Sequence, residues 1–211
     1  GGVTEQNAHP HIGMARRVAV VHNGIIENYQ ELRGELGARG VTFTSDTDTE
    51  VVVHLVEAEI AGGRDLLCAV KHALSRIQGA SAFVFMSVDA PDCLVTARLG
   101  NAGGIVIGRG RDEMFVASDI PAILEHTRDV IFLEHRQVAQ VTREGAVVFT
   151  LENRPVTPRL YTIPWDPVAA EKGTYRHFMQ KEIAEQPRAI TDTIRGRVDF
   201  SGGRVRLDTL P

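Results

Sequence analysis

The first part of the chain alternates short apolar runs with stretches of helical periodicity. Residues 18–21, VAVV, predict a short buried strand that ends at a His-Asn-Gly corner. Residues 25–36 then carry apolar side chains at helical spacing, and Gly37 and Gly40 end the pattern. This order predicts a strand, a sharp corner and a helix.

A second strand and two more helices are predicted before the chain reaches Gly79. Val41 and Phe43 alternate with threonines, which is typical of a half-buried strand. Thr47 and Glu50 have the spacing of a capping box, which predicts the start of a helix. The apolar positions of that helix and of the next one follow the helical period: Val52, Leu55, Val56, Ile60, Leu66, Leu67, Val70, Leu74 and Ile77.

The pattern changes after Gly79, where short β-rich runs such as "ASAFVFMSV", "GGIVIGRG" and "AVVFTL" follow one another. One short helix, predicted over residues 120–126, interrupts the series. Consecutive strands favour antiparallel sheets, and the helices must then cover one face of a sheet. The predicted fold class is a layered α+β domain over residues 1–155.

The remainder of the chain has a different composition. Residues 156–174, with the neighbouring Pro155, are rich in proline and contain the single tryptophan, which predicts an interdomain linker. Residues 175–211 open with a helical pattern that Pro187 should kink or divide. We interpret this last segment as the beginning of a second domain.

Composition and charge exclude several classes of protein. The 211 residues are 43% hydrophobic and 24% charged with a net charge of -4, which disfavours a nucleic-acid partner. No apolar run approaches the roughly 18–20 residues of a membrane span, and no signal peptide opens the chain. Cys68 and Cys93 do not form a disulfide framework, so we expect a reduced, cytoplasmic protein.

Asn23-Gly24 has two readings on spacing alone. Both residues tolerate positive φ, so the pair can be a simple turn. Alternatively, the Asn23 amide and the Gly24 backbone N–H can point together at a developing oxyanion. The missing Cβ of Gly24 would let a substrate approach the backbone.

The acidic run "SDTDTE", residues 45–50, also has two readings. Thr47 or Asp48 suffices to cap a helix, so the run can be no more than a helix start. Two aspartates and a glutamate are nevertheless more acid than a cap needs. Carboxylates at this point could hold the α-ammonium group of a substrate by charge-assisted hydrogen bonds.

Histidines raise the question of a metal. His9 and His11 share a face if their segment is extended, so both could approach one ion. A structural zinc site needs four ligands, and neither a cysteine nor a third nearby histidine completes one. Structural histidines that form hydrogen bonds are the stronger interpretation, and we expect no metal and no cofactor.

Four stretches together carry a family resemblance: "NAHPH", "VVHNGIIENYQELRGEL", "FTSDTDTEVVVHL" and "YRHFMQKEIAEQP". In this order the chain resembles the glucosamine-6-phosphate synthases, the isomerising glutamine–fructose-6-phosphate aminotransferases. The resemblance implies a four-layer αββα sandwich of the N-terminal nucleophile hydrolase type, incomplete at its N-terminus here, followed by the beginning of a sugar isomerase domain. It also implies glutamine and fructose 6-phosphate as substrates and a homo-oligomer for the full-length enzyme.

The resemblance also implies roles for individual residues. Asn23 and Gly24 match the oxyanion-hole pair, and Asp48 matches the acid that binds the α-amino group of glutamine. His22, which precedes the pair, is expected to help bind the substrate. His9 lies in the matching "NAHPH" loop without an assigned role.

The nucleophile of the family is a cysteine at the mature N-terminus, where this chain has Gly1, and neither of its cysteines is in a matching position. We therefore expect a fragment that does not hydrolyse glutamine by itself. Two alternatives stay open: another class II glutamine amidotransferase, and a non-catalytic module that only binds glutamine.

Overall fold

The chain divides into two units, Gly1–Pro164 and Trp165–Pro211, and each is described by itself. The structure is a computed structural model. It describes residues 2–101, 104–164, 174–194, 198–199 and 204–205.

The helices of the first unit are α1, α2 and α3, at Tyr29–Ala38, Thr49–Ala61 and Leu66–Leu74. The central helix is α2, whose residues from Thr49 to Val56 are all buried. A helix that is buried on every side has to lie between other elements, and α2 contacts α1, α3 and the sheet. The N-terminus of α3 is capped by Asp65, whose carboxylate accepts a hydrogen bond from the Cys68 N–H at 2.7 Å.

Two antiparallel sheets form the rest of the first unit. The strands of the first, seven-stranded sheet are β1 His11–Ile12, β2 Val18–Gly24, β3 Ser81–Ser87, β4 Ala90–Leu99, β8 Gln137–Thr142, β9 Gly145–Thr150 and β10 Pro155–Val156, in that spatial order. The strands of the second, four-stranded sheet are β5 Val106–Arg109, β6 Met114–Ala117, β7 Asp129–Phe132 and β11 Leu160–Thr162, in the spatial order β11-β7-β5-β6.

The layers follow from the alternation of side chains along the strands. On β3, Phe83 packs into a cluster with the three helices, whereas its neighbour Ala82 packs into a cluster between the two sheets. The segment that follows the 3-10 turn Ile120–Ala122 lies against the outer face of the second sheet at Gly108, where a Cβ would be 2.8 Å from Ile123 Cδ1. The α+β sandwich predicted from the sequence is confirmed.

Three local predictions differ from the structure. Residues 41–45 form no strand, because Glu50 takes the backbone N–H groups of Thr44 and Ser45 that a neighbouring strand would need. The helix predicted from Ile25 begins at Tyr29. The helix predicted over residues 120–126 is a 3-10 turn of three residues.

The second unit contains the helix α4, Phe178–Ile194, and the short antiparallel pair β12 Val198–Asp199 and β13 Arg204–Val205. The helix is continuous across Pro187 and is not divided there. The segment predicted as a linker, 156–174, contains β11, and its residues 165–173 lie outside the described residues. None of the helices in the described ranges has the length and apolar character that crossing a membrane requires.

Candidate functional site

The corner at the end of β2 is formed by its last residues. Asn23 and Gly24 pair with Ala82 and Ser81 of β3, and the chain then turns away while the Ile25 N–H donates to the Ala80 carbonyl oxygen at 3.1 Å. Gly24 has a φ of 137°, and a Cβ at this position would lie 2.2 Å from the Ala80 carbonyl oxygen. Only glycine fits this backbone.

Asn23 lies on the face of β2 that looks toward the second sheet. Its cross-strand partner Ala82 belongs to the cluster between the sheets, and paired residues share a face. Asn23 is exposed and lines a cavity of about 180 Å³, whose opposite wall includes Ala117 and Ser118 at the end of β6. Asn23 therefore stands at an open cavity, and Gly24 directly follows it at the end of the strand.

His22 lies on the other face of the strand and is 5% exposed. Its Nδ1 atom is 2.8 Å from Thr49 Oγ1, and its Nε2 atom is 3.0 Å from Ser81 Oγ. Its ring stacks on that of Phe83, with the ring centroids 4.6 Å apart. Burial lowers the pKa of His22 to about 4, so the imidazole is neutral near pH 7. With both nitrogens bonded inside the protein, the ring has no free nitrogen to offer a substrate in this arrangement.

Asp48 connects the start of α2 to the corner. Its Oδ2 atom accepts a hydrogen bond from the Ile26 N–H at 2.7 Å, and its side chain makes no capping bond to its own helix. No other residue in the described part of the chain donates a hydrogen bond to this carboxylate. One oxygen therefore remains for a cationic group, beside a helix N-terminus that favours negative charge.

Glu50, the last acidic residue of the run 45–50, has a structural role. Its buried carboxylate accepts hydrogen bonds from the backbone N–H and the hydroxyl of Thr44 and of Ser45, at 2.7–2.9 Å. Burial alone would raise the pKa of Glu50, but these hydrogen bonds lower it to about 2. The capping box predicted between Thr47 and Glu50 is not formed, because Glu50 holds the preceding loop and α2 begins at Thr49.

The "NAHPH" segment is tied to the acidic run. Asn7 Oδ1 accepts from the Asp46 N–H at 2.9 Å, and His11 Nε2 lies 3.1 Å from Thr47 Oγ1. His11 is buried, and burial together with the nearby His9 lowers its pKa. Among the described residues, no group of three or more His, Cys, Asp or Glu side chains could hold a metal ion.

The structure thus brings together three of the four sequence motifs. The fourth, "YRHFMQKEIAEQP", runs into α4 of the second unit. The sequence did not single out Asn7, Thr49 or Ser81. Asn7 and Thr49 lie inside the matching motifs, which is a signal that could have identified them, whereas Ser81 carries no local signal and joins the site through strand pairing alone.

Comparisons with known proteins identify relatives of this chain. Two curated relatives named glutamine–fructose-6-phosphate aminotransferase (isomerizing) are 47% identical over 98% of this chain in Symbiobacterium thermophilum and 48% identical over 96% in Streptomyces coelicolor. The chain spans about a third of the length of these relatives, 33% and 32%.

Solved structures with the same fold include the glutamine phosphoribosylpyrophosphate amidotransferase from B. subtilis in complex with ADP and GMP. It matches with a TM-score of 0.61 and 25% identity over 71% of this chain and 33% of that one. A structure described as the allosteric regulatory enzyme of purine biosynthesis matches with a TM-score of 0.61 and 26% identity over 72% of this chain and 32% of that one. A family profile described as glutamine amidotransferase domain matches residues 3–125. The chain belongs to the glutamine amidotransferase domain family.

Proposed function

We propose that this chain forms the glutamine-binding and oxyanion-stabilising part of a glutaminase site in an isomerising glutamine–fructose-6-phosphate aminotransferase. The observation that carries the proposal is the meeting of Asn23, Gly24 and Asp48, which come from two different motifs, at one corner of the first sheet. The names of the relatives supply the substrates, glutamine and fructose 6-phosphate.

In this proposal Asp48 binds the α-amino end of glutamine. Its free carboxylate oxygen accepts hydrogen bonds from the α-ammonium group, while Oδ2 stays on the Ile26 N–H. The side-chain amide of glutamine then extends toward Asn23 and Gly24. Charge on both sides of the contact gives this end of the substrate its orientation.

The chemical step, attack on the side-chain amide of glutamine, takes place at the oxyanion corner. A nucleophile adds to the amide carbon, and negative charge develops on the carbonyl oxygen. The Asn23 side-chain amide and the Gly24 backbone N–H donate to that oxygen. One such donor contributes about 3–4 kcal/mol to the stabilisation of the transition state. The tetrahedral intermediate then collapses, ammonia leaves after taking up a proton, and an acyl-enzyme remains for water to hydrolyse.

The nucleophile that we propose is the N-terminal cysteine of the whole protein. Neither thiol of the described chain lies at the corner: Cys93 is next to Leu94, which pairs with Met86 at the opposite end of β3 from Ser81. Cys68 lies on α3, where burial and Asp65 raise the pKa of its thiol. A raised pKa leaves less of the reactive thiolate.

The test is an assay of the protein from the complete reading frame. We expect glutamine-dependent formation of glucosamine 6-phosphate and glutamate from fructose 6-phosphate. Transfer to phosphoribosyl pyrophosphate instead would identify a different amidotransferase, the class represented by one solved relative. Calorimetric binding of glutamine without release of glutamate would favour a binding module and contradict the proposed enzyme.

A further inference from the structure

We propose that His22 is a positioning residue, which keeps the oxyanion corner (Asn23 and Gly24) at a constant distance from Asp48 by joining Thr49 to Ser81. We call Thr49, His22 and Ser81 the relay. The inference rests on the proposed function, because it assigns the relay a part in the same glutaminase site.

Each end of the relay is next to a different part of the site. His22 Nδ1 is 2.8 Å from the hydroxyl of Thr49, which directly follows Asp48 in the first turn of α2. His22 Nε2 is 3.0 Å from the hydroxyl of Ser81, the strand partner of Gly24. One imidazole ring therefore connects the helix that carries the substrate-binding acid with the strand that supports the oxyanion corner.

The contacts of Ser81 favour one arrangement of hydrogens in the relay. Ser81 Oγ also lies 3.4 Å from the Ile25 carbonyl oxygen, to which only its hydroxyl can donate. Ser81 then accepts from His22, so Nε2 carries the ring hydrogen and Nδ1 accepts from the Thr49 hydroxyl. Every member is satisfied, and the relay also reaches the backbone one residue beyond Gly24.

The three members of the relay are almost completely buried. The exposed fractions are 5% for His22, 3% for Thr49 and 0% for Ser81. The ring is held flat against Phe83, with an interplanar angle of 13°. Removing one hydroxyl leaves a buried nitrogen without its partner, which costs about 1–3 kcal/mol in proteins. The ring then has to shift, and one half of the site shifts with it.

Charge supports the same assignment. Burial lowers the pKa of His22, the charge of Asp48 opposes that shift, and His9 and His11 add to it. A neutral ring can serve as donor on one side and acceptor on the other, whereas a protonated ring would donate on both sides.

Two variants separate the two halves of the relay. Thr49→Val keeps the shape of the side chain but loses the bond on the Asp48 side, so we expect KM for glutamine to rise about tenfold with kcat within about twofold of wild type. Ser81→Ala loses the bond on the corner side, so we expect kcat to fall about tenfold with KM nearly unchanged. Both are measured as glutamate release by the protein from the complete reading frame.

The chain offers a matched control for each variant. Thr96→Val removes a buried hydroxyl that donates to the Phe83 carbonyl oxygen at 2.8 Å, in the same sheet but outside the relay. Ser87→Ala removes a buried serine at the other end of β3. We expect both controls to lower the melting temperature without separating kcat from KM. If Thr49→Val and Ser81→Ala change the kinetics no more than their controls do, the proposal is wrong.

Nuclear magnetic resonance of the ¹⁵N-labelled ring tests the relay independently of turnover. We expect His22 to stay in the Nε2-protonated tautomer without titrating between about pH 5 and pH 8. A ring that titrates in that range, or that carries its hydrogen on Nδ1, would overturn the relay. If wild type releases no glutamate, the proposed function fails, and the spectrum still decides whether the relay exists.

Discussion

The Oδ2 atom of Asp48 accepts a hydrogen bond of 2.7 Å from the backbone N–H of Ile26, two residues after Gly24. This bond attaches the first turn of α2 to the segment that leaves the oxyanion corner. The acid proposed to bind glutamine is therefore also part of the scaffold that places the oxyanion donors. Substitutions of Asp48 can separate these two roles.

Asp48→Asn should weaken glutamine binding without slowing the chemical step. The amide oxygen still accepts from the Ile26 N–H, but the charge that attracts the α-ammonium group is gone. Loss of a charge-assisted hydrogen bond of about 1.5–3 kcal/mol should raise KM about tenfold to a hundredfold. Asp48→Ala removes the bond to Ile26 as well and should also lower kcat. Steady-state kinetics on the protein from the complete reading frame decide, and an unchanged KM for Asp48→Asn would remove Asp48 from this role.

Asn23→Ala should act on kcat. Loss of one oxyanion donor costs roughly 100–1,000-fold in turnover. Because the Asn23 side chain is exposed and accounts for no hydrogen bond within the described residues, the melting temperature should stay close to that of wild type. A thermal melt of the same preparation shows whether slow turnover reflects chemistry or misfolding. Normal turnover in a folded variant would contradict the assignment.

Local patterns explain why part of this site could be predicted from the sequence. The apolar run of β2 and the Asn-Gly that follows it are neighbours in the chain, so the corner was predictable, and its motif made Asp48 a candidate. Ser81 could not be identified, because its place opposite Gly24 depends on the register of β3, which is set by packing. The strand predicted at Val41 and Phe43 was wrong for a similar reason, since Glu50 takes the N–H groups of the following residues.

Two glycines predict opposite effects of the same substitution. Gly24→Ala places a Cβ 2.2 Å from the Ala80 carbonyl oxygen on a backbone with a φ of 137°, and should lower the free energy of unfolding by about 3 kcal/mol or more. Gly34→Ala, in the interior of α1, meets no atom within 4 Å and should raise it by about 0.5–1 kcal/mol. Urea unfolding of both variants gives the comparison. A tolerated Gly24→Ala would show that the corner adopts a different backbone.

Glu50 should make the fold sensitive to acid. Its pKa is about 2 in the folded chain and 4.5 in the reference state, so the folded state favours the carboxylate. This contribution to stability is complete above about pH 4.5 and is lost as the pH falls toward 2, with a total of about 3 kcal/mol. Urea unfolding at a series of pH values should show the difference between wild type and Glu50→Gln shrinking over that interval.

A surface carboxylate supplies the control for Glu50. Glu152 is about half exposed and binds Arg136, whose guanidinium helps lower the pKa of Glu152 to about 2. An exposed pair is screened by salt, whereas the hydrogen bonds that Ser45 donates to Glu50 are buried. The contribution of each glutamate is the pH-dependent difference in free energy of unfolding between wild type and its Glu→Gln variant. In about 1 M salt, the difference for Glu152→Gln should therefore disappear, while the difference for Glu50→Gln should persist. If salt abolishes both, the carboxylate of Glu50 is reached by solvent and does not hold the loop in the way the structure shows.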